Sequence, residues 1–135
     1  MVLVDTNILA YLLIQDERTK RARALLGRDP DWHSESLAIV ELVNVLVTNM
    51  RVRNMSMRHA LVVLEQAQLV VTGGLHSANH ADTLALAARF KVSAYDARFL
   101  SLAGKLGVPL VTEDIKLRNA SPMLTQSLAD AVASV

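Results

Sequence analysis

Apolar residues fall along this chain in short blocks, and the spacing within each block predicts the element it builds. Val2, Leu3 and Val4 form a brief continuous apolar run, as in a strand buried on both faces. Asp5-Thr6-Asn7 behind it offers capping side chains for a helix starting near Ile8. Residues 16–27, DERTKRARALLG, predict a second helix stopped by Gly27, with a basic outer face. A strongly apolar helix is expected over 36–48, where Glu41, Asn44 and Thr48 are the only polar side chains after Ser36 and share one narrow stripe. Ser56 suits the cap of a helix reaching about Gln68. Leu69-Val70-Val71 reads as a strand ended by Gly73-Gly74, and helical spacing returns from Asn79 or His80 to Phe90.

The stretch 92–117 is the most informative. Val92-Ser93-Ala94 reads as a strand leading into Tyr95-Asp96, after which Phe99, Leu102, Ala103 and Leu106 recur at helical spacing. Gly107 stops that helix and Val108-Pro109-Leu110-Val111 begins another strand. A βαβ crossover makes its strands parallel, so Asp96 and the Glu113-Asp114 pair are expected at one carboxyl-terminal sheet edge, with Asp5 beside them if the first strand is also parallel. The fold class expected is α/β, with a central, mostly parallel sheet.

Ligands of open α/β sheets bind beyond the carboxyl ends of the strands, where this chain is expected to gather acids. Clustered carboxylates repel one another and raise each other's pKa, whereas a divalent cation turns the same cluster into a favourable site. An all-oxygen donor set selects Mg²⁺ or Mn²⁺ over zinc, and the chemistry that follows is displacement at phosphorus. Taken singly, each acid also has a plainer reading. Asp5 and Asp96 read as helix N-caps, Glu41 as part of a solvated helix face, and spacing does not choose between Glu113 and Asp114.

Composition narrows the chemistry. The 135 residues contain no cysteine, which removes disulfides, thiolate metal sites and cysteine nucleophiles. Apolar runs are shorter than the ~20 residues that span a bilayer, and no basic leader precedes the first of them, so a cytoplasmic protein is expected. The absence of a repeat or linker favours one domain over 1–135. Lys and Arg number 14 against 13 Asp and Glu, a balance that argues neither for nor against nucleic acid. His76 and His80 lack the Glu of an HExxH zinc site, while His33 and His59 look isolated. Neither a Gly-rich phosphate loop nor a G-x-S-x-G turn is present.

Four segments together, VDTN at 4–7, IVELVNVL around Glu41, SAYDARFLSLA from Ser93 and PLVTEDIKL from Pro109, resemble the PIN-domain family, and more narrowly the VapC toxins of bacterial type II toxin–antitoxin modules. The resemblance runs from Val2 to about Leu117. It implies a PIN-like α/β/α sandwich in which Asp5, Glu41, Asp96 and Asp114 ligate Mg²⁺ or Mn²⁺, with Thr112 and Asn7 supporting. It thereby selects Asp114 over Glu113. It also implies an endoribonuclease that cuts RNA, such as tRNA, with metal-activated water, is silenced by a VapB-like antitoxin and forms a homodimer.

With the four matched acids offset by metal, nine acidic side chains would face 14 basic ones, a balance that suits an RNA backbone. A mean hydropathy of +0.30 leads us to expect apolar surface covered by a partner, and Met50, Met55 and Met57 suit a groove for an amphipathic antitoxin helix. Arg98 reads either as a phosphate contact or as an ordinary helix salt bridge. Two other functions compete: phosphoryl transfer through an Asp nucleophile, disfavoured by Asn7 where a D-x-D pattern needs an acid, and a catalytically inactive PIN-like RNA- or protein-binding module. Residues 121–135 match nothing recognisable and read as a short helix or a dimer contact.

Overall fold

The computed structural model describes residues 1–134. A five-stranded, wholly parallel sheet in the order β3-β2-β1-β4-β5 forms its centre. The strands are β1 (Val2–Val4), β2 (Trp32–Glu35), β3 (Gly74–His76), β4 (Leu110–Val111) and β5 (Thr125–Gln126), and the helices α1 (Thr6–Leu13), α2 (Thr19–Arg28), α3 (Leu37–Val52), α4 (Met57–Val70), α5 (His80–Phe90), α6 (Ala94–Leu106), α7 (Ile115–Ala120) and α8 (Leu128–Ala133) pack around it. One core cluster joins β1, β2 and β4 to α1, α2, α6 and α8 through residues such as Leu3, Trp32, Leu100, Leu110 and Leu128. A second lies between α1, α3 and α4, around Leu42, Leu46 and Val63.

Several expected elements are corrected. The second helix starts at Thr19, because the Thr19 hydroxyl donates back to the Tyr11 carbonyl at 2.6 Å and holds residues 14–18 as a turn. It runs through Gly27 and ends before Pro30. Helix α3 continues a turn past Thr48, to Val52. Residues 69 and 70 belong to the end of α4, and the strand follows the glycine pair's turn as Gly74–His76. Val92-Ser93-Ala94 is not a strand: Ser93 caps α6, its hydroxyl accepting the Asp96 amide at 3.0 Å. The expected βαβ unit is therefore an α5–α6 hairpin, turned by Lys91 in the left-handed region at φ 56° and followed by β4. Strand β2 escaped expectation because three of its four residues are polar, yet all four are buried. The tail supplies β5 and α8, which buries Leu128 and Ala131. Met50 and Met55 are partly buried against the second core, while Met57 is exposed.

His33 is not isolated. Its ring stacks on His76 with centroids 5.2 Å apart, its Nδ1 lies 2.9 Å from His76 Nε2, and its Nε2 lies 3.0 Å from Asp31 Oδ1. Gly73 runs so close to this ring that an added Cβ would stand 2.1 Å from His33 Nε2. Gly73→Ala must displace a buried side chain, and the expected loss is ~1–3 kcal/mol in the unfolding free energy from denaturant titration. In a His33→Ala background the loss should shrink. Equal losses in the two backgrounds would contradict this packing account.

Candidate active site

Because every strand runs in the same direction, one edge of the sheet collects all the carboxyl ends. Val4 delivers the chain to Asp5, Glu35 to Ser36, and Val111 to Thr112. Asp5 caps α1, its Oδ1 accepting the Ile8 amide at 3.1 Å, and Asp114 caps α7 through the Leu117 amide, also at 3.1 Å. Glu41 stands on the second turn of α3, where the Thr6 hydroxyl donates to its Oε1 at 2.6 Å. Asp96 enters from the first turn of α6, not from a strand end.

These four acids, with Asn7 and Tyr95, line one cavity of about 460 Å³. The chain brings them to a common mouth from four separate segments. Thr112 is fully buried beneath them. Its hydroxyl accepts the Asp114 amide at 3.1 Å, and the same side chain favours the charged form of Asp5. Spacing could not distinguish Asp114 from its neighbour, and the geometry does. Asp114 faces the cavity, while Glu113 is held by Arg118 at 3.3 Å, Arg18 at 3.8 Å and the Leu128 amide at 3.2 Å.

Charge is the feature that the four acids share. Among the described residues none of them lies in a salt bridge. Asp5 is pushed up to about 6, first by desolvation and further by Glu41 and Asp96, against the opposing hydrogen bonds from Thr112 and Ile8. Asp96 is raised by desolvation and by Asp114. The side chains do not meet as a ready-made cage: among the described residues no three His, Cys, Asp or Glu are grouped closely enough to hold a cation as they stand. Capping and the Thr6 bond occupy one oxygen each of Asp5, Asp114 and Glu41. A hard-oxygen donor set with unbalanced negative charge is nonetheless the chemistry that a divalent cation satisfies.

Two residues of this edge had no signal in spacing. Glu35 is fully buried at the end of β2 and meets the Arg98 guanidinium through both oxygens, the Nη2 contact being 3.0 Å. Burial pushes the Glu35 carboxyl up, but Arg98, the Ser36 hydroxyl and the Leu37 amide outweigh it and hold the group below its usual range. Arg98 is therefore occupied by a carboxylate, which corrects its reading as a phosphate contact. The other missed residue is Thr6, the hydroxyl that orients Glu41.

The fold, with its acids at the carboxyl edge of a parallel sheet, is that of a PIN domain. The PIN domain model matches residues 2–121, and the chain belongs to that family. It is 29% identical over 126 residues to Ribonuclease VapC3 of Pyrobaculum aerophilum, covering 91% of this chain and 96% of the relative. Among solved structures, PAE2754 from Pyrobaculum aerophilum superposes with a TM-score of 0.79 at 20% identity, over 98% of this chain and 86% of that one. FitAcB from Neisseria gonorrhoeae superposes at 0.70 with 18% identity, over 94% and 96%. At these identities the two structures establish a shared fold.

Two outcomes follow from the electrostatics. Arg98→Met strands the buried Glu35 charge and should cost ~3–5 kcal/mol, whereas the Glu35→Gln, Arg98→Met pair should recover much of that loss in chemical denaturation. No recovery in the pair would refute the ion-pair account. Asp5 has a folded pKa above its usual 3.8, so its ionisation opposes folding, and this penalty grows as pH rises from about 4 through 6. In chelator, Asp5→Asn should therefore melt higher than the parent at pH 7.5, by up to ~3 kcal/mol, and equal it near pH 4. A lower melting temperature at pH 7.5 would refute the repulsion.

Proposed function

We propose that this protein is a metal-dependent endoribonuclease of VapC type, acting as a single PIN domain over 1–135 and hydrolysing RNA phosphodiester bonds. The observation that carries the reading is the convergence of Asp5, Glu41, Asp96 and Asp114 on one cavity with no basic partner among the described residues. Membership of the PIN family and the likeness to a protein named Ribonuclease VapC3 support it. Mg²⁺, with Mn²⁺ as substitute, fits the all-oxygen set, and when bound there it supplies charge neutralisation for a phosphate and a lowered pKa for the attacking water. The four carboxylates would hold it, Asp5 and Asp114 each through the oxygen not used in capping. Thr6 orients Glu41, Thr112 holds the Asp114 backbone amide, and Asn7 stands at the cavity wall.

A structured RNA such as a tRNA is the proposed substrate class, and a VapB-like antitoxin the proposed inhibitor. Two copies are proposed to pair, supported by the apolar helix face on α5, which buries only Thr83 and leaves Leu84 at 73% exposure. Cytoplasmic action is part of the same proposal, and no helix among the described residues is long and apolar enough to cross a membrane. The competing reading, an inactive RNA- or protein-binding module, is favoured by one observation, the lack of a preformed three-ligand group among the described residues.

Cleavage of total RNA with end-mapping separates the two. The protein should cut in Mg²⁺ or Mn²⁺ and stop in chelator. Asp5→Asn and Asp96→Asn should each lose ~100-fold or more while keeping their circular dichroism. Undiminished cutting by both variants would remove the mechanism, and RNA binding without cutting would establish the inactive module.

A further inference from the structure

Beside the carboxylate cavity lies a second one of about 310 Å³, between α1 and the last two turns of α3, and the two share Asn7 and Val45 in their walls. Its chemistry differs from that of its neighbour. Ala10, Ile14, Val45 and Val52 supply apolar wall, the Tyr11 ring stands among them, and Asn49 contributes a carboxamide. The Tyr11 ring is fixed from one side by the Arg18 guanidinium, 5.0 Å from its centroid. Asn49 donates from Nδ2 to the Val45 carbonyl at 2.9 Å, which sets the plane of its amide, and its Oδ1 has no hydrogen-bond partner among the described residues.

We propose that this cavity is a nucleobase subsite, taking the base of the nucleotide next to the phosphate that sits at the four carboxylates. This inference rests on the ribonuclease reading and extends it to sequence preference. An apolar pocket with an aromatic wall and a few oriented amides is what a flat heterocycle with donors and acceptors requires. A second phosphate is a poorer occupant, because Asp16 also lines the cavity and its one lining cation is Arg53. Continuity favours RNA over a peptide: a strand that places a phosphate at Asp5 and Asp96 must send a neighbouring nucleoside along a wall of the same mouth, and Asn7 and Val45 are that wall. Tyr11 supplies stacking, which any base accepts. Asn49 supplies discrimination, since its free Oδ1 accepts only from a base that presents a donor there.

Fluorescence anisotropy with 5′-labelled rA6, rC6 and rU6 tests the assignment. The parent is the full chain carrying Asp96→Asn, in Mg²⁺ at fixed ionic strength, so that binding is read without cutting. Tyr11→Ala should weaken all three hexamers by about tenfold, and Tyr11→Phe should retain the parent affinities. Asn49→Ala should compress the ratio between the best and worst hexamer, and in the active chain it should relax the base preference mapped beside the cut. Affinities unchanged by both alanine substitutions would overturn the subsite and leave the cavity to a protein partner. The two readings fail separately. No cutting by the unsubstituted chain, with Tyr11- and Asn49-dependent binding intact, removes the ribonuclease alone, while cutting with an unaltered preference in Asn49→Ala removes the subsite alone.

Discussion

Asp5 carries a negative charge at the end of the central strand, where the backbone turns from β1 into α1 and the half-buried carboxyl is partly desolvated. An isolated carboxylate in such a place is unfavourable, and three further acids around the same mouth make it more so. Two features temper it from within the chain: the first amides of α1, aligned with the helix dipole, and the Thr112 hydroxyl at the end of the adjacent strand. Neither removes the charge. Asp5 therefore remains raised to about 6, and the edge of the sheet holds an electrostatic demand that the described side chains do not meet.

The same edge shows what a satisfied acid looks like. Glu35, at the end of β2, is fully shielded from solvent, yet its carboxyl lies below the usual range because Arg98, Ser36 and the Leu37 amide surround it. Glu113 is likewise held by Arg18 and Arg118. Among the described residues, six acids thus gather near one edge in two classes, two neutralised by arginine and four without a cationic partner. Were the four only helix caps and solvated surface, nothing would explain why neither arginine-held acid lines the cavity while the four do. The Glu35–Arg98 pair has a further consequence. It ties the first turns of α6, which carry Asp96, to the strand beside β1, so the position of Asp96 depends on a buried ion pair in β2.

Much of this was legible in the amino-acid sequence, and unevenly. Strand β1 and the apolar face of α3 could be read because their residues are uniformly apolar or strictly periodic. The four acids could be named because the motifs around them occur together. Strand β2 could not, because Trp32-His33-Ser34-Glu35 is buried by polar pairing and carries no apolar run. His33 is satisfied by His76 and Asp31, Ser34 by the Val4 carbonyl at 2.7 Å, and Glu35 by Arg98, all partners distant or invisible to local pattern. Val92-Ser93-Ala94 failed for the opposite reason: a local apolar start suggested a strand, but the Ser93 cap favours a helix. The placement of Asp96 at the edge was thus expected from a crossover that does not exist, and is achieved instead by the first turn of α6.

The two adjoining cavities divide the demands that a nucleic acid makes. Backbone phosphate calls for charge balance, which the carboxylate mouth can offer only through a bound cation. Bases call for flat apolar contact with sparse, oriented hydrogen bonding. In this chain those requirements are met by successive turns of the same two helices: α1 gives Asn7 to both cavities and Tyr11 to the second, and α3 gives Glu41 to the first and Asn49 to the second. Residues four and eight apart along a helix share its side, so an α1–α3 pair that brings Asn7 and Glu41 to the first cavity also brings Tyr11, one turn further along α1, and Asn49, two turns further along α3, to the second. The helix packing that sets the chemistry therefore sets the neighbouring surface as well, and a change in that packing should move both together.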